Sequence, residues 1–292
     1  MNQMTALVPA ADIVEPTRRP HRLRINSDNR AIVGGTSILS VIFLVALAAP
    51  LIAPFDPRAI DLPARLLPWS GEHLLGTDML GRDNFSRIIY GARVSLLIGF
   101  FSALISSILG TVIGIVSASS RISDAIVMRI LDGVMSIPAT LLAIALMAIA
   151  GGSVSNVVLA VTIVETPRCA RLARGLMLSL RERPYVEAAI AAGSGRVKLL
   201  VRHLLPGLMA PLAVQGAFIW AAAMLIEAAL SFIGAGVPPS TPTWGNMIAE
   251  SKGLWQLKPS LIFMPAIALS ITILGVNLLG EGLRRAFDVK GH

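Results

Sequence analysis

The sequence contains a single cysteine, Cys169, so no disulfide can form within the chain. Charge is also scarce. Asp, Glu, Lys and Arg make up 14% of the 292 residues, well below the roughly 25% of a typical soluble domain. The chain has no Gly-Lys dipeptide either. A P-loop needs glycine followed directly by Lys and then Ser or Thr, so that backbone amides and the lysine cradle the phosphates. Gly193-Ser194-Gly195 looks like such a loop but continues as Arg196-Val197-Lys198. Nucleotide binding through a Walker motif is excluded.

Long apolar runs occupy the space that charge leaves. Hydrophobic residues form 54% of the chain and the mean hydropathy is +0.73. Residues 31–52, 94–120, 133–164, 207–226 and 259–280 carry no Asp, Glu, Lys or Arg, and about 20 apolar residues cross a bilayer core. The run 133–164 exceeds one crossing, and Gly-Gly-Ser-Val-Ser-Asn at 151–156 supplies a turn inside it. The pattern predicts an all-α integral membrane protein with six spans, near 32–52, 94–118, 126–150, 155–173, 207–235 and 260–281. An N-terminus placed inside puts 18 of the 25 Lys and Arg in inner segments and seven in outer ones, so both termini are expected in the cytoplasm. The net charge of +8 follows from this asymmetry. Divided among separate loops, it is weak evidence for a nucleic-acid partner. Val-Ala-Leu-Ala-Ala-Pro at 45–50 resembles a signal-peptidase site. The apolar run of about 21 residues behind a long polar tail is too long for a cleaved signal, and an uncleaved first span is expected.

Within the spans, Ser102, Ser106, Gly110, Gly114 and Ala118 recur every four residues. That places small side chains on one helix face, where a neighbouring backbone can approach. Helix packing is the ordinary reading, and lining of a path through the membrane is the alternative. Pro138, Pro211 and Pro265 fall within predicted spans, and each removes a backbone hydrogen bond there. Asp132 and Glu165 stand three residues from Arg129 and Arg168 respectively, and structural ion pairs are favoured over substrate contact for both. Glu227 has no basic neighbour and must face the bundle, water or a partner subunit. Trp69, Trp244 and Trp255 lie near span ends, where Trp commonly anchors at the interface.

The segment 181–207 is basic, alanine-rich and flanked by apolar runs. Ser194 and His203 are nine residues apart, with no acid partner or nucleophile elbow, so hydrolase chemistry is disfavoured. What remains is helix–glycine–helix. Pro184 suits a first helical position, and Tyr-Val-Glu-Ala-Ala-Ile-Ala-Ala follows with strong helix formers. Gly193 can close that helix in a left-handed conformation, and Ser194 can cap the next. There Val197, Leu200, Val201 and Leu204 recur at helical spacing. Arg196, Lys198, Arg202 and His203 supply polar surface, and Pro206 marks the expected end. A short, narrow helix projecting from a bilayer is shaped to dock in a groove on another protein.

Glu-Ala-Ala-Ile-Ala-Ala-Gly at 187–193, followed nine residues later by His-Leu-Leu-Pro at 203–206, resembles the EAA loop of ATP-binding-cassette importer permeases. The stretches 73–96, 128–146, 227–248 and 277–288 resemble signatures of the dipeptide, oligopeptide and nickel importers. The Gly-Thr-Asp-Met-Leu-Gly-Arg-Asp loop is most similar to the second, C-type permease subunit. Gly207 stands where Asn is frequent in that family, and Thr166 and Cys169 where aromatics are frequent.

The resemblance implies the type I importer permease fold and one subunit of a larger machine. Its partners are a second permease (as a heterodimer), two ABC ATPase subunits, an extracytoplasmic solute-binding protein and membrane lipid. ATP and Mg are bound by the ATPases, and this chain is expected to hold no cofactor or metal and to be no enzyme. Glu187, Ala188, Ala189, Gly193, Arg202, His203, Leu205 and Pro206 carry the coupling role by resemblance. Thr77, Asp78, Arg82, Asp83 and Trp244 are candidates for docking the solute-binding protein. The expected layout is a cytoplasmic tail at 1–30, a first helix and outer loop at 31–93, a core at 94–286 containing a coupling loop at 174–206, and a tail at 287–292. Peptides are the expected cargo, with nickel or another small solute as the alternative. A secondary transporter is the rival class, and it usually shows duplicated helix sets, which this sequence lacks.

Overall fold

The structure, a computed structural model, describes the backbone of residues 25–288 and the side chains of residues 30–287. Most of the polar tail expected at 1–30 lies outside the described residues, as do the last four residues of the chain. The first helix, α1 (Ile25–Leu47), already includes the end of that tail. Pro50 opens the short α2 (Ala49–Ile52). A long loop with one 3-10 turn (Leu62–Ala64), expected on the outer side, then leads to α3 (Asn84–Ser117). Asp83 caps α3 by accepting from the Ser86 amide at 2.8 Å. Helix α3 thus begins ten residues before the predicted span. Its 34 residues measure about 51 Å, so it projects well beyond a core about 30 Å thick.

The predicted third span, 126–150, is not one helix. It is α4 (Arg121–Met135) and α5 (Ala139–Ala150), bent by 88° at the break. Pro138 lacks an amide hydrogen and restricts the residue before it, and the Ser136 hydroxyl donates to the Gly133 carbonyl at 2.7 Å. Together they end α4 rather than kink it. Helix α6 (Val154–Arg181) is capped by Ser153 and accommodates Pro167 in its interior. Next come α7 (Pro184–Ala191), α8 (Arg196–Leu199), a π turn (Leu200–Leu204) and α9 (Leu205–Phe232). The outer α10 (Trp244–Ser251) and the closing α11 (Ser260–Asp288) complete the chain. No strand occurs among the described residues.

Four helical runs are long and apolar enough to cross a membrane: α1 from Arg30, α3, the run Arg196–Phe232 and α11. The bent pair α4–α5 brings the number to five. Helix α6 is long, yet Glu165, Arg168, Arg171, Arg174 and Arg181 keep it out of that group.

Packing follows the small-residue stripe. Ser102, Ser106, Gly110, Gly114 and Ala118 are all buried, and the two glycines meet α6 backbone to backbone. A Cβ on Gly110 would sit 2.6 Å from the Cys169 Cβ, and one on Gly114 would sit 2.6 Å from the Ala170 carbonyl oxygen. Cys169 is itself fully buried. A small side chain there fits the close approach that an aromatic would block. Gly35 and Gly282 do the same for α1 against α11, where an added Cβ would lie 2.5 Å from the Leu279 nitrogen and the Ile32 side chain respectively.

Candidate functional site

The loop between α6 and α9 is built by its caps. Arg181, the last residue of α6, donates to the Ala118 carbonyl at 2.7 Å and ties the loop's start to the end of α3. Pro184 takes the first position of α7, where its missing amide hydrogen is harmless. Gly193 closes α7 with φ of 77°. The Ser194 amide donates to Ala189 at 3.0 Å and the Gly193 amide to Ile190 at 2.9 Å, the paired bonds of a Schellman cap.

Two expectations for this loop are corrected. Ser194 does not cap α8, because Gly195 occupies the N-cap position and no side chain caps there. Pro206 does not end the helix. The Leu205 amide reaches back to the Leu200 carbonyl in a π turn, and Pro206 follows in the first turn of α9, where its missing amide hydrogen is tolerated. The chain runs on as helix to Phe232.

Val186 and Leu204 are buried among α6 and α9 side chains and hold the loop to the bundle. Glu187, Ala188, Gly193, Arg202 and Pro206 are exposed, and Ala189, His203 and Leu205 are half-buried. The predicted apolar stripe divides: Leu204 points inward, whereas Val197 and Val201 are 76% and 57% exposed. Tyr185 and Ile190, on α7 with Glu187, are exposed as well, and Glu187 makes no ion pair among the described residues. The loop is anchored on one side and unsatisfied on the other.

The opposite end of the bundle is the reverse, a set of polar groups that satisfy one another. Thr77 donates to the Ala64 carbonyl at 2.5 Å and accepts from the Leu67 amide at 2.8 Å. Asp78 pairs with Arg82 at 2.6 Å. Glu250 of α10 accepts from Arg82 and Arg87, each at 2.8 Å. His73 sits 3.0 Å from Asp83 and stacks on Phe55. The Trp244 indole donates to the Ile88 carbonyl at 3.0 Å. All five docking candidates, Thr77, Asp78, Arg82, Asp83 and Trp244, are therefore buried. They lock the outer loop and α10 onto α3 and present no surface of their own. Trp244 is no interfacial anchor, whereas Trp69 and Trp255 are exposed. Lys258 donates to the carbonyls of Leu66 and Leu67, and its burial there lowers its pKa from the ordinary lysine value.

Arg87 is 1% exposed. Arg87→Ala, which leaves Glu250 with one partner fewer, is expected to destabilise the chain by about 3 kcal/mol. Arg58→Ala, at an exposed position, should fall within about 0.5 kcal/mol of the parent. Thermal unfolding in detergent compares the two, and equal effects would contradict the locking role.

Among the charged residues expected within spans, Glu165 pairs with Arg168 at 3.0 Å, as expected. Asp132 does not pair with Arg129. Its partner is Arg171 of α6, at 2.6 Å, because α6 and not the next turn of α4 lies against it. A second α4–α6 pair joins Asp124 to Arg174, with Nη2 to Oδ2 at 2.6 Å. Glu227 faces the bundle. One carboxylate oxygen accepts from Ser231 at 2.9 Å and from Thr243, the cap of α10, at 2.8 Å.

Apolar helices with a self-satisfied polar cap at one end and an exposed helical loop at the other define a polytopic membrane protein. Residues 110–290 match the family described as binding-protein-dependent transport system inner membrane component, and residues 24–68 match the N-terminal transmembrane domain of oligopeptide transport permease C. The chain belongs to that family of ABC importer permeases, as a C-type member, and is a multi-pass protein of the bacterial inner membrane.

It is 47% identical over 91% of its length to a probable peptide ABC transporter permease of Sinorhizobium fredii, of which 91% is covered. It is 38% identical over 97% of its length to the di/tripeptide transport system permease protein DppC of Pseudomonas aeruginosa, with 96% of that protein covered. In fold it is similar to the MetNI methionine ABC transporter in an inward-facing conformation. The TM-score is 0.57 at 16% identity, over 69% of this chain and 96% of the other.

Proposed function

We propose that this chain is the second permease subunit of an ATP-driven importer of di- and oligopeptides. Its loop 184–206 seats in an ATPase subunit, and ATP hydrolysis there switches the permease pair between inward- and outward-facing states. The observation that carries this reading is the inner loop itself. It has a buried base at Val186 and Leu204, a Schellman-capped turn at Gly193, exposed apolar side chains at Tyr185, Ile190, Val197 and Val201, and an unpaired Glu187. Such side chains gain by burial against a partner.

In this reading the chain crosses the membrane six times with both termini in the cytoplasm. Helix α6 counts as a span because its charges face partners or water instead of lipid. The chain pairs with a different permease, two ATPases bind ATP and Mg, and a solute-binding protein delivers cargo to the outer face. The chain itself holds no cofactor and catalyses nothing. Peptide cargo is supported by the relatives named above.

The test is uptake of a labelled dipeptide into proteoliposomes holding the assembled transporter and its binding protein. Uptake driven by ATP is expected, with none driven by an ion gradient. Gradient-driven uptake without ATPases would place the chain among secondary transporters. ATP-driven uptake of nickel with none of peptide would overturn the cargo. Glu187→Lys should lower ATP-driven uptake by about 10-fold, within the range of measured coupling energies, while insertion is unchanged on a membrane-fraction blot. Undiminished uptake by this variant would exclude the loop from coupling.

A further inference from the structure

Helix α6 is long enough to cross a bilayer but too charged to face one. Arg168 and Arg171 are 55% and 49% exposed, and Asp132, opposite them on α4, is 58% exposed. Arg129, one turn before Asp132 on the same α4 face, is exposed and makes no ion pair among the described residues. Depth is what makes these exposures informative. Arg168 is the fifteenth of the 28 residues of α6, a helix about 42 Å long, so where that helix crosses a core about 30 Å thick its middle lies inside the core. Asp132, 2.6 Å from Arg171 one turn further along α6, lies at the depth of that residue. Charges at such depth face a bundle interior or a water-filled cavity, because exposure to lipid costs at least a few kcal/mol each. This bundle's interior does not cover them. The contrast within the same helix pair is plain, since Glu165 is 2% exposed and points inward.

We infer that the α4–α6 face carrying Arg129, Asp132, Arg168 and Arg171 forms a hydrated wall of the substrate path in the cytoplasmic half of the membrane. This rests on the importer reading and its orientation. The wall bears both signs of charge, with the Asp132–Arg171 pair linking its two helices at 2.6 Å. Water and fixed charges of both signs suit the passage of a small zwitterion such as a di- or tripeptide, whose termini stay solvated on the way. The 88° break after α4 puts this polar stretch on a separate helix from the apolar α5, so one span presents two different surfaces.

Cysteine accessibility in the assembled transporter tests the assignment. In a Cys169→Ala background, Asp132→Cys, Arg171→Cys and Ile108→Cys are exposed in turn to a membrane-impermeant methanethiosulfonate, added from the cytoplasmic side. Ile108 is an exposed apolar residue of α3 and serves as the lipid-facing control. Without nucleotide, positions 132 and 171 are expected to react and position 108 to remain unlabelled. After trapping with ATP and vanadate, labelling at 132 and 171 should slow by about 10-fold as the path closes inward. No labelling at 132 or 171 in either state would mean that lipid or the second permease covers the face, and would overturn the inference. Equal rates in both states would place the residues outside the path and overturn it too. Either result, with ATP-driven peptide uptake by the unsubstituted transporter intact, leaves the importer reading standing. Absence of that uptake would overturn the reading on which the inference rests.

Discussion

Gly193→Pro is expected to abolish coupled transport while leaving the protein folded and inserted. The native residue has φ of 77°, and proline is held near −65°. The substitution also deletes the amide that donates to Ile190 at 2.9 Å. Both bonds of the Schellman cap are lost, and α7 no longer meets α8 at a fixed angle. Folding is spared because nothing lies within 4 Å of an added Cβ at this position and the residue is exposed. Uptake by the assembled transporter should drop by about 100-fold, toward the upper end of coupling energies.

A graded series sharpens this result. Asn tolerates the left-handed region, and Ala there costs about 1–2 kcal/mol. Gly193→Asn should therefore keep most of the uptake, Gly193→Ala should fall between, and Gly193→Pro should lose it. Initial uptake rates, normalised to inserted protein, give the order. A proline variant that transports as well as the parent would remove the loop's geometry from the mechanism.

The second large effect is expected at Gly114. A Cβ at this position would lie 2.6 Å from the Ala170 carbonyl oxygen and 2.7 Å from the Ala173 Cβ. The first is backbone and cannot swing aside, so α3 and α6 must separate. Overpacking of this kind costs about 1–3 kcal/mol or more, and Gly114→Leu adds three further carbons at the tightest part of the interface. The variant should fail to give a monodisperse peak on size-exclusion chromatography in detergent, and Gly114→Ala should lower Tm measurably. Gly133→Leu, at an exposed site with nothing within 4 Å, should behave like the parent. A well-behaved Gly114→Leu protein would mean that α3 and α6 are not packed backbone to backbone.

Gly114 and Gly193 also mark the kind of feature that is legible in the amino-acid sequence. The four-residue repeat from Ser102 to Ala118 and the helix–glycine–helix around Gly193 are local patterns. The small-residue face and the left-handed cap are readable from neighbours in sequence, although the helix that packs on that face is not. Features that depend on distant residues are not legible in this way. The polar residues of the outer loop look solvent-facing because Glu250, which neutralises Arg82 and Arg87, stands 168 and 163 residues away. Spacing alone matches Asp132 to Arg129, whereas its partner Arg171 is 39 residues on. Proline is ambiguous in both directions. Pro138 ends a helix within a continuous apolar run, and Pro206 sits inside a helix that it would be expected to finish. A neighbouring hydroxyl or a π turn decides the outcome.

On the proposed reading, an ATPase subunit covers the exposed face of residues 184–206 in the working transporter. A photo-crosslinking amino acid at Val197 or Ala188, both exposed, reports that contact directly in native membranes. Each position is expected to give an adduct with the ATPase subunit, and Leu51, which is 89% exposed, to give none. Adducts of positions 188 and 197 with lipid or with the second permease, and none with an ATPase, would contradict that reading.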